Sequence, residues 1–283
     1  MKILKQAIKK ILSAFGYQLH RSVDVQVSFD NFANLAQAYE QRLNESNINS
    51  ILANETRPKL LARLMGTQPS EAYFIVQALV ECKDISGDVC EFGVAQGETS
   101  ALIANEIVFS CTKTLHLFDS FEGLPKPSEK DKLKDDIFSL GSMEAYTGTM
   151  SCPEDMVKSR LKAISFPSER YIIHKGFIEQ LIHTDMNLPK EVSFAYVDFD
   201  FYEPIMLTLE FLHRITPAGA VIIVDDYDFF STGAKAAVDE WIEKNNSIEI
   251  IYECFVPNTR YGYFAVLTKM ANKRYKVGGE LGR

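Results

Sequence analysis

Two apolar runs that stop abruptly on carboxylates constrain this chain more than any other feature: Phe194-Ala-Tyr-Val-Asp-Phe-Asp200 and Val221-Ile-Ile-Val-Asp-Asp226. Each is too continuously apolar for a half-exposed strand, and a helical stretch over residues 203–215 separates them. That is the pattern of two parallel strands buried on both faces, joined by a crossover helix. In such sheets ligands bind beyond the carboxyl ends of the strands, which is where Asp198, Asp200, Asp225 and Asp226 fall. Four carboxylates brought together there repel one another unless a cation offsets their charge, and hard oxygen donors suit magnesium or manganese. Helix capping is the competing explanation, but a cap needs a single Asp, not Asp225-Asp226-Tyr227-Asp228.

The rest of the chain repeats the same rhythm. A helical pattern over residues 57–82 leads through Gly87 into a strand beginning at Asp88 and the segment Glu91-Phe-Gly-Val-Ala-Gln-Gly97, followed by a helix over 99–108. Gly93 and Gly97 let the backbone pass close to a ligand, and the helix that follows offers free N–H groups. The next strand, residues 114–119, ends on Asp119, at the distance where the acid of a nucleoside site bonds the ribose hydroxyls. Strands over 171–175, 192–197 and 220–224 alternate with helices over 154–163, 177–183, 203–215 and 234–244. The runs 248–255 and 261–269 then close the chain as an antiparallel hairpin. The expected fold is α/β: a three-layer α/β/α Rossmann-like sandwich on a seven-stranded, mostly parallel sheet with a C-terminal antiparallel hairpin. Residues 126–152 break the rhythm as a long polar insertion with the character of a functional flap.

Residues 57–270 form the catalytic domain in this reading, 1–56 an N-terminal segment and 271–283 a basic tail. Residues 2–16 place Ile3, Leu4, Ile8, Ile11, Leu12 and Phe15 at helical spacing among four lysines. A basic amphipathic helix of this kind lies on an anionic membrane surface, covers a partner subunit, or packs on the body of the protein. The chain carries a formal net charge of -8, which argues against nucleic-acid partners and for a small or metal-assisted substrate. Its five cysteines lack any CxxC spacing, so neither a disulfide framework nor a zinc site is indicated. A cytoplasmic location follows, at the inner membrane face if the N-terminal helix binds lipid.

Four segments in order carry a family likeness: Glu91-Phe-Gly-Val-Ala-Gln-Gly97, Phe118-Asp-Ser-Phe-Glu-Gly-Leu-Pro125, Val197-Asp-Phe-Asp-Phe-Tyr-Glu203 and Ile223-Val-Asp-Asp-Tyr227. Together they resemble the macrocin O-methyltransferase family, whose members use S-adenosylmethionine and magnesium to methylate sugar hydroxyls. The resemblance implies that Asp198, Asp225 and Asp226 hold the metal, with Asp200 close by and Asp198 also available as proton acceptor. It implies that Glu91, Gly93, Gly97, Asp119 and Ser120 line the cofactor site, that the acceptor is a small molecule or glycan, and that the protein self-associates. The chain departs from the family pattern at Phe199, where a Gly commonly separates the two acids. Phe201 stands where catechol-type relatives carry Lys, and no His occurs between Ser142 and Cys152, so the residues leave the general base open. Two rival functions share parts of the pattern. Asp198-Phe199-Asp200 also fits the manganese-binding element of a nucleotide-sugar glycosyltransferase, and a catalytically inactive partner protein would keep the fold.

Overall fold

The structure, a computed structural model, describes residues 56–110, 112–246, 251–259 and 262–270. The N-terminal amphipathic helix, residues 22–55 of the N-terminal segment and the basic tail lie outside the described residues. The elements run in the order α1 (Arg57–Leu61), α2 (Pro69–Glu81), β1 (Asp88–Phe92), α3 (Glu98–Ser110), β2 (Leu115–Asp119) and α4 (Glu154–Ala163). They continue with β3 (Tyr171–Lys175), α5 (Ile178–Thr184), β4 (Val192–Val197), α6 (Tyr202–Ile215), β5 (Val221–Val224), α7 (Gly233–Asn245), β6 (Tyr252–Phe255) and β7 (Ala265–Lys269).

The seven strands form one sheet in the order β3-β2-β1-β4-β5-β7-β6. Strands β1 to β5 pair in parallel, while β7 runs antiparallel to both β5 and β6. This is the expected three-layer architecture with its closing hairpin. The apolar strands are buried on both sides because each face carries a helical layer. On one face α5, α6 and α7 pack Ile178, Ile205, Leu209, Val238 and Trp241 against Phe92, Ala195 and Val197. On the other, α2, α3 and α4 pack Ile75, Leu79, Ile103 and Leu161 against Val89, Leu117 and Phe194. The order places β1 between β2 and β4, so successive crossovers leave β1 in opposite directions and open a crevice at its carboxyl end.

The helical pattern over residues 57–82 resolves into two helices. Gly66 has φ +93, a conformation a helix cannot contain, and Pro69 sits in the first turn of α2, where its missing N–H costs nothing. The insertion over 126–152 is mostly irregular but has its own small core, with Leu124, Met143 and Tyr146 packed on Phe201 and Phe230. No helix among the described residues is long and apolar enough to cross a membrane.

Helix α1 is tied down by a buried ion pair. Arg57 donates from Nε and Nη2 to the two carboxylate oxygens of Glu106 at 2.6 and 2.5 Å, and both side chains are 3% exposed. Removing one partner of such a pair strands a buried charge, whereas removing both leaves an apolar contact. Arg57→Met should therefore lower unfolding free energy by about 3–5 kcal/mol, and Arg57→Met with Glu106→Leu should recover most of it. Urea denaturation of the single and double variants measures the difference, and equal destabilisation by both would remove the ion pair as the anchor.

Candidate active site

The site is built from backbone first. At the carboxyl end of β1 the ladder runs past the strands: Gly93 N donates to Phe118 O at 2.9 Å, Asp198 N to Phe92 O at 2.7 Å, and Asp225 N to Val197 O at 2.8 Å. The acids therefore inherit the spacing of the sheet. Gly93 has φ +85 and lies so close to the β4 end that any Cβ there would overlap the carbonyl oxygen of Asp198. Only glycine permits this approach of the two strand ends.

Around this point a cavity of about 500 Å³ opens. Gly93, Ala95, Asp119 and Ser120 line one part of it, Asp198, Asp200, Asp225 and Asp226 another, and Ile137 and Phe138 of the insertion border it. Asp119 organises the glycine turn: Oδ2 accepts from the amides of Val94 and Ala95, both at 2.8 Å, and Oδ1 accepts from Phe121 N at 2.6 Å. The Ser120 hydroxyl is engaged locally, accepting from Glu122 N and donating to Gly123 O. Glu91 lies beneath the cavity, fully buried, with neither carboxylate oxygen hydrogen-bonded. Gly97 does not line the cavity; its missing side chain lets α3 start against Val157 of α4.

Ligand atoms of Asp198, Asp200 and Asp226 lie within 4.8 Å of one another, a geometry that could hold a metal ion. Asp225 lies in the same cavity, with its carboxylate engaged in hydrogen bonds. Its Oδ2 accepts from the Tyr196 hydroxyl at 2.6 Å and its Oδ1 from Asp226 N at 2.7 Å. Asp200 and Asp226 adopt left-handed backbone, with φ of 63 and 55, as do Ala95 and Phe121 beside the glycine turn. Backbone of this kind is costly for residues other than glycine and persists where surrounding structure imposes it.

Electrostatics follows from crowding. Burial, and then the charges of Asp225 and Asp226, push Asp198 well above the usual carboxylate range. Burial raises Asp200 to about 7, with the Asp198 charge adding and a bond to Asp226 opposing. Burial raises Glu91 to about 8, with the nearby Ser100 hydroxyl opposing and the Asp119 charge adding. A further acid joins them from α2: Glu71 is 1% exposed and is raised by burial and by the charges of Asp225, Asp198 and Asp226. The one signal of Glu71 in the sequence is its place on the apolar stripe of α2 with Ile75, Ala78 and Leu79, where a buried carboxylate is anomalous. His174, by contrast, sits in the core. It is 1% exposed, stacks on Phe118, and bonds His116 at 2.9 Å and Asp185 at 2.6 Å. Those contacts account for it without a catalytic role.

The Macrocin-O-methyltransferase (TylF) family model matches residues 6–253 of the chain. No curated protein matches it in sequence. Among solved structures, that of the O-methyltransferase NovP superposes with a TM-score of 0.60 at 19% identity, covering 87% of this chain and 99% of NovP. CalS11, a calicheamicin methyltransferase, gives 0.58 at 20% identity, covering 82% and 91% of the two chains. An apo structure of CalS11, described as a TDP-rhamnose 3'-O-methyltransferase, gives 0.50 at 19% identity over 82% and 93%. At these identities the likeness establishes the fold.

The crowded acids have a measurable signature. Asp200 and Glu91 titrate at about 7 and about 8 in the folded state, against 3.8 and 4.5 when unperturbed, so the folded state holds more protons between those values. Their contribution to stability is fully present below about pH 4 and is lost as pH rises through 7 to 8. The urea midpoint of the metal-free protein should fall from pH 6.5 to 8.5, and Asp200→Asn should flatten that fall. A midpoint that rises across this window would contradict the crowding.

Proposed function

This chain belongs to the macrocin O-methyltransferase family and is a methyltransferase, and on that premise we propose that it methylates a sugar hydroxyl using S-adenosylmethionine and a divalent cation. The observation that carries the reading is the shared cavity: one space joins the glycine turn and Asp119 to the acidic cluster, so donor and acceptor halves of a transfer site face each other. The sugar acceptor is proposed from the family and from what CalS11 is described as acting on.

S-adenosylmethionine lies along the glycine turn in this proposal. Gly93 gives the cofactor close access to the backbone, Gly97 sets the start of α3, and Asp119 and Ser120 face the ribose. Glu91, buried with two unpartnered oxygens, has acceptor capacity for the cationic amino acid end. The acidic cluster fits a hard divalent ion, because its donors are carboxylate oxygens whose mutual repulsion a cation relieves. Asp198 and Asp226 belong to the ligand set on both sequence and geometry. Asp200 completes the set as the side chains stand, and Asp225 completes it by exchanging its Tyr196 bond. The chemistry such an ion supplies when bound is Lewis-acidic: a lower pKa for a coordinated hydroxyl and neutralisation of its developing charge.

The reaction is an in-line displacement. With the cofactor held along the glycine turn, its sulfonium–methyl bond would break as the bond to the acceptor oxygen forms, and Asp198 would take the hydroxyl proton. Asp198 suits that role by position, as a carboxylate lining the cavity between the glycine turn and the other acids. Ile137, Phe138 and Phe229 border the cavity with apolar surface that keeps water from the reacting centre. The glycosyltransferase alternative falls with the family assignment, even though Asp198 and Asp200 do converge.

Asp198→Asn keeps the shape and removes the proton acceptor and one charge, so turnover should fall by at least about a hundredfold. Turnover should also be lost in EDTA and return with magnesium; full activity in EDTA would sink the metal requirement. Manganese titration of Asp200→Asn and Asp225→Asn, side by side, identifies the third ligand by which variant loses affinity. For the cofactor end, Asp119→Ala should weaken S-adenosylmethionine binding by roughly ten- to a hundredfold, the scale of a charge-assisted hydrogen bond. Unchanged affinity in a folded Asp119→Ala protein, read by calorimetry, would remove Asp119 from the site.

A further inference from the structure

Asp131 belongs to the insertion, does not line the cavity, and is 5% exposed. Its Oδ2 accepts from the amide and the hydroxyl of Ser128, both at 2.7 Å, and its Oδ1 accepts from the amide of Tyr202 at 2.8 Å. Tyr202 opens α6, so its N–H is one of the four that a helix start leaves without an intrahelical partner. The residue in the capping position, Phe201, has no side chain able to serve it. The cap is thus delivered from 71 residues upstream, across the fold. The turn it secures is the one that carries Asp198 and Asp200, with Asp200 held at φ 63.

The same segment grips the other acid-bearing loop. Thr232 Oγ1 donates to Lys130 O at 2.6 Å, Thr232 N to Lys132 O at 3.0 Å, and Lys134 N to Phe230 O at 2.8 Å. Lys134 also pairs with Asp228, two residues beyond Asp226. Gly233 closes the junction: a Cβ there would overlap Asp131 Oδ1. Three donors converge on one side chain, and only a carboxylate accepts from all three. The amide group of an Asn would turn a donor toward either Ser128 or Tyr202.

We propose that Asp131 is a positioning residue that clamps the insertion to the turn after β4 and the loop after β5, and so sets the separation of Asp198, Asp200 and Asp226. The clamp itself rests on geometry alone; its consequence for catalysis rests on the proposed metal-assisted methyl transfer.

The test compares wild type with Asp131→Asn and Asp131→Ala in the full chain, reading kcat, KM for S-adenosylmethionine, manganese affinity without acceptor, and tryptic cleavage at Lys130, Lys132 and Lys134. Misplaced acids should cut kcat by about ten- to a hundredfold in Asp131→Ala while KM for the cofactor stays within about twofold. Manganese affinity should drop about tenfold, cleavage of the insertion should accelerate, and Asp131→Asn should lie between, since it can still serve one of the two partners. A general loss of structure would instead move cofactor KM together with kcat. Unchanged kcat and manganese affinity in either folded variant overturns the proposal, and Asp131→Asn decides it if Asp131→Ala does not fold. If wild type itself neither binds manganese nor loses activity in EDTA, the metal reading fails separately, and the clamp is then judged on kcat and cleavage.

Discussion

Mutual repulsion among buried carboxylates is the constraint around which this protein is arranged. Asp198, Asp200, Asp225, Asp226 and, from α2, Glu71 meet at one end of the sheet; burial raises each of them above the ordinary carboxylate range, and the neighbouring charges add to this for all but Asp225, where hydrogen bonds from Tyr196, the Asp226 amide and Glu71 oppose it. Such an arrangement opposes folding, and a chain keeps it only when surrounding structure holds the groups in place. The holding is done by the sheet itself. Hydrogen bonds from Asp198 N and Asp225 N to the neighbouring strands extend the ladder to the acids, so their positions are as rigid as the core beneath.

The rigid core is also what makes the crevice possible. Gly93 meets the end of β4 at a distance no other residue tolerates, and Asp119 ties the glycine turn back to β2 through two backbone amides, those of Val94 and Ala95. Buried polar groups elsewhere serve the same scaffold: Arg57 with Glu106 under α1, and the chain His116, His174, Asp185 beside β3. In that chain His174 Nδ1 donates to Asp185, and His116 Nδ1 donates to His174 Nε2. His174 Nε2 is thus left to accept, which a neutral His174 ring provides. Burial lowers the His174 pKa in keeping with a neutral ring.

The insertion over 126–152 shows how a polar, irregular segment becomes part of a site. Its composition predicts a loop, and it is one, but it is pinned by Asp131 and Lys134 and carries its own core around Tyr146. Its apolar tip, Ile137 and Phe138, then borders the cavity from a fixed base. A flap so anchored shapes the site through the two loops it touches as much as through its own side chains.

Local pattern was enough to show the alternation of strands and helices, the closing hairpin, the glycine turn and the acids at strand ends. Those features depend on periodicity and on the conformational limits of glycine and proline, which neighbouring residues impose on one another. What the tertiary structure decided involves residues far apart in the chain. It broke the helical pattern at Gly66, gathered ligand atoms of Asp198, Asp200 and Asp226 within reach of one another, and brought Glu71 among the acids at the strand ends. It also assigned Asp131 to a helix start 71 residues away and buried His174 as a structural residue. No local signal specifies these, because side-chain direction at a strand end and the partner a buried polar group finds are settled by packing between layers.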